Sequence, residues 1–373
     1  MNILYITYLY GLKWTGPNYS VPSQINAQAK YDNVFWYNIN NLYKEEQSEG
    51  IKCYDIDDFP NLKITELPDP FNSPDLVIFE GLYFYSYCKI ANECRKKGIP
   101  YIIIPRSSLT SYAQKSKFLK KKVANTLFFK NFIRKATAIQ YLTSKEYRDS
   151  GDSWNKTHFI IPNGISGKSK IRQFTRREFC KGVFIGRLDI YQKGIDLLIE
   201  ACSNLKEELE KENIIIEIYG PDKEGSKSEI KKMIDDNNLG CIINLKEAVF
   251  DIEKEEILLN SDFFILTSRF EGHPMGLIEA LSFGLPCLIT EGTNMADDVK
   301  QADAGWTAGI TSESLTTEFK NLLNDRGAFA SKGRNALKLS NLYNWNKLAD
   351  DSSDIYHQLL NKVQGKKDNE KYY

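Results

Sequence analysis

The feature that most restricts the folds open to this chain is a series of short, almost unbroken apolar segments, each followed by a longer stretch with helical spacing. In the first half they cover residues 2–8, 34–37, 75–80, 101–104, 138–142 and 158–161; in the second, 182–185, 214–219, 241–245, 263–267 and 286–289. A strand with water on one face alternates apolar and polar residues. Strands that do not alternate are buried on both faces, which is the pattern of parallel sheets covered by helices. The expected fold class is therefore α/β, with doubly wound sheets.

A length of 373 residues is enough for two such domains. The turn signal PNGI follows the sixth segment, and the polar stretch GKSKIRQFTRREF after it has no sustained apolar period. These place a first domain over 1–165 and a second over 166–344. The segment NLYNWNKLADDSSDIYHQLL has helical spacing, so residues 345–373 are expected to form a helix that packs back on the first domain and ends in a polar tail.

Charge and cysteine usage exclude several function classes. Forty-nine basic residues balance forty-nine acidic ones, so the chain lacks the global positive field that draws proteins onto nucleic acid. Seven cysteines without a C-x-x-C pair suit neither a disulfide framework nor a structural zinc site, and point to a reducing cytoplasm. No window of about 18 apolar residues is long enough to span a bilayer. The start, MNILYITYLYG, lacks the basic flank and cleavage site of an export signal and suits a first buried strand.

In open α/β sheets ligands collect beyond the carboxyl ends of the strands. Two such places carry chemistry. After the segment FFILTS comes RFEGHPMGLIEALSFGLP, in which Pro274 suits a first helical turn and Gly284 a helix stop, giving a short helix over about 275–283. The free amides of Met275, Gly276 and Leu277 would form an anion-binding mouth suited to phosphate, with Gly276 letting a ligand approach the backbone. Glu271 precedes that helix and Glu279 leans back toward its start. Two carboxylates beside a diphosphate would repel it unless they bind neutral hydroxyls, which points to a sugar nucleotide. After VFIG, Arg187 and Lys193 supply an Arg fork and a point charge for that diphosphate. The plainer alternative for all four is ordinary exposed charge, with Glu279 only a favourable helix-start carboxylate.

The stretches GRLDIYQKG, SRFEGHPMGLIEALSFGLPCLIT and EGTNM resemble the retaining GT-B glycosyltransferases of family 4. The resemblance implies a GT-B fold: two Rossmann-like doubly wound domains facing across a cleft. It further implies that Arg187 and Lys193 bind the donor diphosphate, that Glu279 binds the ribose, and that Glu271 contacts the transferred sugar. By the same resemblance the donor is a nucleotide sugar, and no metal cofactor is expected from the residues themselves. Asp55, Asp57 and Asp58 imitate a D-x-D metal motif, but they lie in a proline-bounded connector far from the phosphate residues.

In the first domain, YGLKWTGPNYSVPSQINAQ is similar to the family loop that usually carries two adjacent glycines near the donor phosphates; here Thr15 precedes Gly16. PRSSL resembles an acceptor-side pattern in which Arg106 is the matching cation, either binding substrate or held in a structural ion pair. Residues 115–135 hold eight basic residues and no acidic one, interleaved with Phe118, Leu119, Val123, Leu127 and Phe128. Such a basic amphipathic stretch suits an anionic membrane face or a lipid-diphosphate acceptor, or else is a core helix with a solvated lysine face.

Together these expectations describe a cytoplasmic glycosyltransferase, peripheral on the inner membrane, that moves a sugar from a nucleotide donor to a glycan or lipid-linked acceptor in surface polysaccharide assembly. Two other readings share the donor site: a nucleotide-sugar epimerase that needs no acceptor, and a non-catalytic nucleotide-sugar-binding subunit.

Overall fold

The computed structural model describes residues 1–11, 16–43, 50–115, 117–174 and 178–370. Contacts divide the chain into two units, Met1–Gly164 with Trp345–Tyr373, and Ile165–Asn344.

The first unit holds a parallel sheet of strands β1 (Asn2–Thr7), β2 (Asn33–Asn38), β3 (Cys53–Tyr54), β4 (Leu76–Glu80), β5 (Tyr101–Ile104), β6 (Ala138–Tyr141) and β7 (His158–Ile160), in the order β3-β2-β1-β4-β5-β6-β7. Successive side chains point to opposite faces, and both faces are covered. Leu4, Ile6, Phe35, Tyr37, Val77 and Phe79 pack on one face. Ile3, Tyr5, Val34, Trp36, Ile78 and Ile102 pack on the other. This double burial is the physical reason that the segments carry no alternation.

The second unit repeats the arrangement with β8 (Cys180–Ile185), β9 (Ile214–Tyr219), β10 (Ile243–Lys246), β11 (Phe263–Leu266), β12 (Cys287–Thr290) and β13 (Gly305–Ala308), ordered β10-β9-β8-β11-β12-β13. Each sheet thus contains the doubly wound order 3-2-1-4-5-6.

Two strands, β3 and β13, are absent from the sequence expectations. Only Cys53 and Tyr54 form β3, too short to give a pattern. Strand β13 opens on Gly305, where a Cβ would lie 2.0 Å from the Cys287 carbonyl oxygen, so the absence of a side chain lets it run against β12. The strand expected over 241–245 begins at Ile243 instead, with exposed Cys241 in the preceding turn.

The polar connector after 165 is pinned where Arg172 is buried. Its Nε donates to the Ser261 carbonyl at 2.6 Å and its Nη2 to Asp262 at 2.7 Å. The chain returns to the first unit through the helix Trp345–Glu370, which packs on the helix Gly16–Gln28. Trp345 covers Gly164, where a Cβ would come 2.4 Å from the indole. Tyr356 is fully buried, and its hydroxyl donates to Gln140 Oε1 at 3.2 Å.

Candidate functional site

In the second unit the winding reverses between β8 and β11, which opens a crevice at their carboxyl ends. The residues singled out from the sequence emerge on both sides of this crevice. Arg187 follows β8, Lys193 ends the short helix Ile190–Lys193, and Glu271 follows β11.

Close backbone packing fixes the two loops together. Gly194 has φ +61°, and a Cβ there would lie 2.0 Å from the Thr267 carbonyl oxygen, so only glycine permits this approach. The Thr267 hydroxyl bonds the Lys193 and Gly194 carbonyls at 3.0 and 2.8 Å. The Arg269 amide donates to the Gln192 carbonyl at 2.9 Å, and its guanidinium grips both oxygens of Asp196 at 2.7 Å. Lys193 leaves this junction over Gly186, and its Nζ lies 2.5 Å from Glu271 Oε1. The same carboxylate oxygen accepts from the Ser268 hydroxyl at 2.8 Å. Asn294 donates to the Glu271 and Gly272 carbonyls and so braces the loop from behind.

Arg187 follows Gly186 and is turned along its own loop. Its Nη2 donates to Gln192 Oε1 at 2.7 Å and lies 3.7 Å from Asp189. Its Nε is buried with no hydrogen-bond partner among the described residues, while the side chain as a whole is 40% exposed. Asp189 caps the helix by accepting from the Gln192 amide, and it also holds Lys223 Nζ at 2.5 Å. Burial works to raise the Asp189 carboxyl, but the Lys223 hydrogen bond, the Gln192 amide and the Lys223 and Arg187 charges outweigh it and hold the group below its ordinary value.

The helix after Glu271 spans Met275–Ser282. Pro274 sits at the N-cap with extended backbone instead of in the first turn, and Gly284 follows the helix with φ +80°. The Pro274 carbonyl accepts from the Leu277 amide at 3.1 Å, and Leu277 is fully buried. That corrects the expected anion mouth. Of the three amides, those of Met275 and Gly276 remain, as first-turn donors, without an intrahelical acceptor. Gly276 lies against the end of β8, where a Cβ would be 3.2 Å from the Ile185 carbonyl oxygen.

Glu279 is buried in the same helix and pairs with Lys254 Nζ at 2.7 Å. Lys254 lies on the helix Asp251–Leu259, and nothing in the local sequence links it to Glu279. Buried His273 packs its ring on Tyr343, 5.3 Å between centroids.

In the first unit, Arg106 does not present its charge as a free substrate-binding cation. Arg106 and Ser107 have φ of +48° and +66°, and this twist turns the guanidinium inward. Its Nε donates to buried Glu80 at 2.7 Å, Nη1 to Ser20 and Asn163 at 3.1 Å each, and Nη2 to Gln24 at 3.2 Å. Of the two readings left open, the structural ion pair is the one formed. Burial raises the Glu80 carboxyl and outweighs the charge and hydrogen bond of Arg106.

Gly16 begins the helix Gly16–Gln28 and is exposed; Thr15 lies outside the described residues. Asp55 and Asp58 spend carboxylate oxygens on the amides of Asp57 and Asp55, at 2.8 and 3.0 Å, and so hold their own turn.

Residues 173–338 match the family Glycosyl transferases group 1. Granule-bound starch synthase 1 of Pisum sativum is 30% identical over 128 residues, 34% of this chain and 20% of that protein. Lipopolysaccharide 1,6-galactosyltransferase of Escherichia coli strain K12 is 47% identical over 53 residues, 14% of this chain and 13% of that one. The chain thus spans only a minor part of either relative. Among solved structures, Anabaena Alr3699/HepE in complex with UDP and glucose aligns over 96% of this chain and 100% of its own, with a TM-score of 0.73 at 13% identity. That likeness gives the fold as GT-B, built from two Rossmann-like domains.

Proposed function

We propose that this chain, whose residues 173–338 are a group 1 glycosyl transferase domain, moves a sugar with retention from a nucleotide-sugar donor to a glycan or lipid-linked acceptor in surface polysaccharide assembly. The observation that carries the proposal is the Lys193–Glu271 pair, set at the switch point of the second sheet beside Arg187 and the start of the helix Met275–Ser282.

Breaking a sugar–phosphate bond leaves positive charge on the sugar ring and negative charge on the departing diphosphate. Lys193, Arg187 and the Met275 and Gly276 amides are the groups for the departing anion. Glu271 neutralises Lys193. A diphosphate takes over the ammonium and leaves the Glu271 carboxylate to accept hydrogen bonds from sugar hydroxyls. Glu279 has the corresponding role toward ribose hydroxyls, with Lys254 holding its carboxylate in place.

No carboxylate is assigned as nucleophile. The acceptor hydroxyl attacks the anomeric carbon from the face that the diphosphate leaves, and its proton passes to a phosphate oxygen. This route uses no divalent metal. The LPS transferase relative and the UDP- and glucose-bound neighbour support a nucleotide-sugar donor and a cell-surface glycan product by likeness.

The test is a calorimetric screen of nucleotide sugars, followed by transfer to lipid-linked acceptors with and without chelator. Transfer that persists in chelator, with an anomeric configuration by NMR matching the donor's, is the expected result. An inverted product removes the retention step. Conversion of the donor with no acceptor present identifies an epimerase, and tight binding without any turnover identifies a regulatory subunit.

A further inference from the structure

We infer that the outward face of residues 118–128, with the lysines around it, docks the chain on an anionic lipid bilayer. This holds whether or not the transfer reading does, because it rests on a surface of the first unit that the donor site does not use.

The segment folds as the helix Phe118–Ala124, a π-helical turn Asn125–Phe129 and the helix Lys130–Arg134. Its inner side is ordinary core. Phe129 stacks edge-on against Tyr83 at 5.0 Å, and Phe132 packs on Phe79 and Tyr101. The outer side is not. Phe118, Leu119, Val123, Leu127 and Phe128 are between 41% and 75% exposed. Eighteen large hydrophobic residues are exposed among the described residues, and five of them fall within these eleven positions. Leu119, Val123 and Leu127 recur at four-residue spacing and so share one stripe. A concentrated apolar face of this kind is a docking surface, whereas single exposed hydrophobics need no explanation.

The charge around the stripe names the occupant. All eight charged residues of 115–135 are basic, and among the described residues none pairs with a carboxylate. Lys117, Lys120, Lys122 and Lys130 are exposed. Only Lys121 turns inward, to the Ala113 carbonyl and the Tyr83 ring. A second copy of the chain would set this basic face against its like. The rest of the chain carries eight more acidic than basic residues, so an anionic surface attracts this face and repels the remainder. An apolar stripe flanked by unpaired lysines is the chemistry of an interfacial helix on anionic lipid.

The test is sedimentation of the full chain with vesicles of phosphatidylcholine alone, or with one third phosphatidylglycerol. Binding is expected only to the anionic vesicles and is lost in high salt. Lys120→Gln with Lys122→Gln should lower the partition coefficient about thirtyfold. Leu119→Ser, Val123→Ser and Leu127→Ser together should lower it on the order of a hundredfold. All five residues are exposed, so the thermal midpoint should stay in place and report an intact fold. Equal binding to neutral vesicles, no binding to either, or unchanged binding of the serine variant overturns the proposal. So does a concentration-dependent dimer that the serine variant breaks while vesicles bind neither form.

Discussion

Lys193 and Glu271 are 78 residues apart in sequence, yet their charged groups lie 2.5 Å apart across the ends of β8 and β11. Each side chain is at most 15% exposed, so the pair is screened little by solvent and is held by the loops that carry it. Glu271→Gln keeps a hydrogen-bond acceptor for Lys193 but removes the charge that the proposed reaction assigns to the sugar hydroxyls. Transfer should fall on the order of a hundredfold, while stability falls by only about 1 kcal/mol. Initial rates with a fixed donor and acceptor check this; an unchanged rate removes Glu271 from the site.

Arg187 has a buried, unpartnered Nε and a forked head that reaches solvent. Arg187→Ala should weaken donor binding by about ten- to a hundredfold, the worth of charge-assisted hydrogen bonds to phosphate. Because the side chain is partly exposed, thermal stability should barely change. Calorimetric titration with the donor and with its nucleoside diphosphate alone is the measurement, and equal losses for both place the contact on the phosphates.

Glu279 is 6% exposed at its side chain and depends on Lys254 for neutralisation. Lys254→Met strands a buried carboxylate and should cost about 3–5 kcal/mol in urea unfolding. Adding Glu279→Leu should recover most of that loss, because a buried ion pair replaced by apolar groups of similar size is close to neutral. The double variant should nevertheless bind donor poorly. A double variant as unstable as the single one would mean that Lys254 acts through other contacts.

Asp189 has a carboxyl held below its ordinary value: burial raises it, but Lys223, the Gln192 amide and Arg187 together lower it further. A folded value below the unfolded one, near 4, gives stability that is present above that pH and lost as pH falls through the folded value. Asparagine still caps a helix but cannot titrate. Asp189→Asn should therefore be less stable than the parent at pH 7, with the gap closing below about pH 4. Urea midpoints from pH 3 to pH 7 give the answer, and a gap that does not vary with pH contradicts it.

Most of the architecture was legible because double burial leaves a mark on the central strands: Ile3 to Ile6 and Phe263 to Leu266 are apolar without interruption. Strands β3 and β13 left no such mark, since Cys53–Tyr54 is too short and Gly305 serves a backbone approach instead of a side-chain pattern. In the site, Lys193 and Glu271 could be placed together because each follows a strand, and strand ends converge in a doubly wound sheet. Lys254 escapes such reasoning, as helix Asp251–Leu259 gives no local hint that it reaches Glu279. Arg106 misleads it: the loop position is right for a substrate cation, but a left-handed turn at two non-glycine residues sends the charge into the interior toward Glu80. Leu277 fails for a related reason, because the Pro274 carbonyl takes its amide before any ligand does.

The chain leaves its first unit at Gly164 and comes home only at Trp345. During synthesis, therefore, the stretch between them emerges whole, whereas the earlier half still lacks its last helix. Until Trp345 and Tyr356 leave the ribosome, the groove over Gly164 and the wall beside Gln140 stand open to water. One lobe is thus a single continuous stretch of chain, while the other is closed only by the segment translated after it.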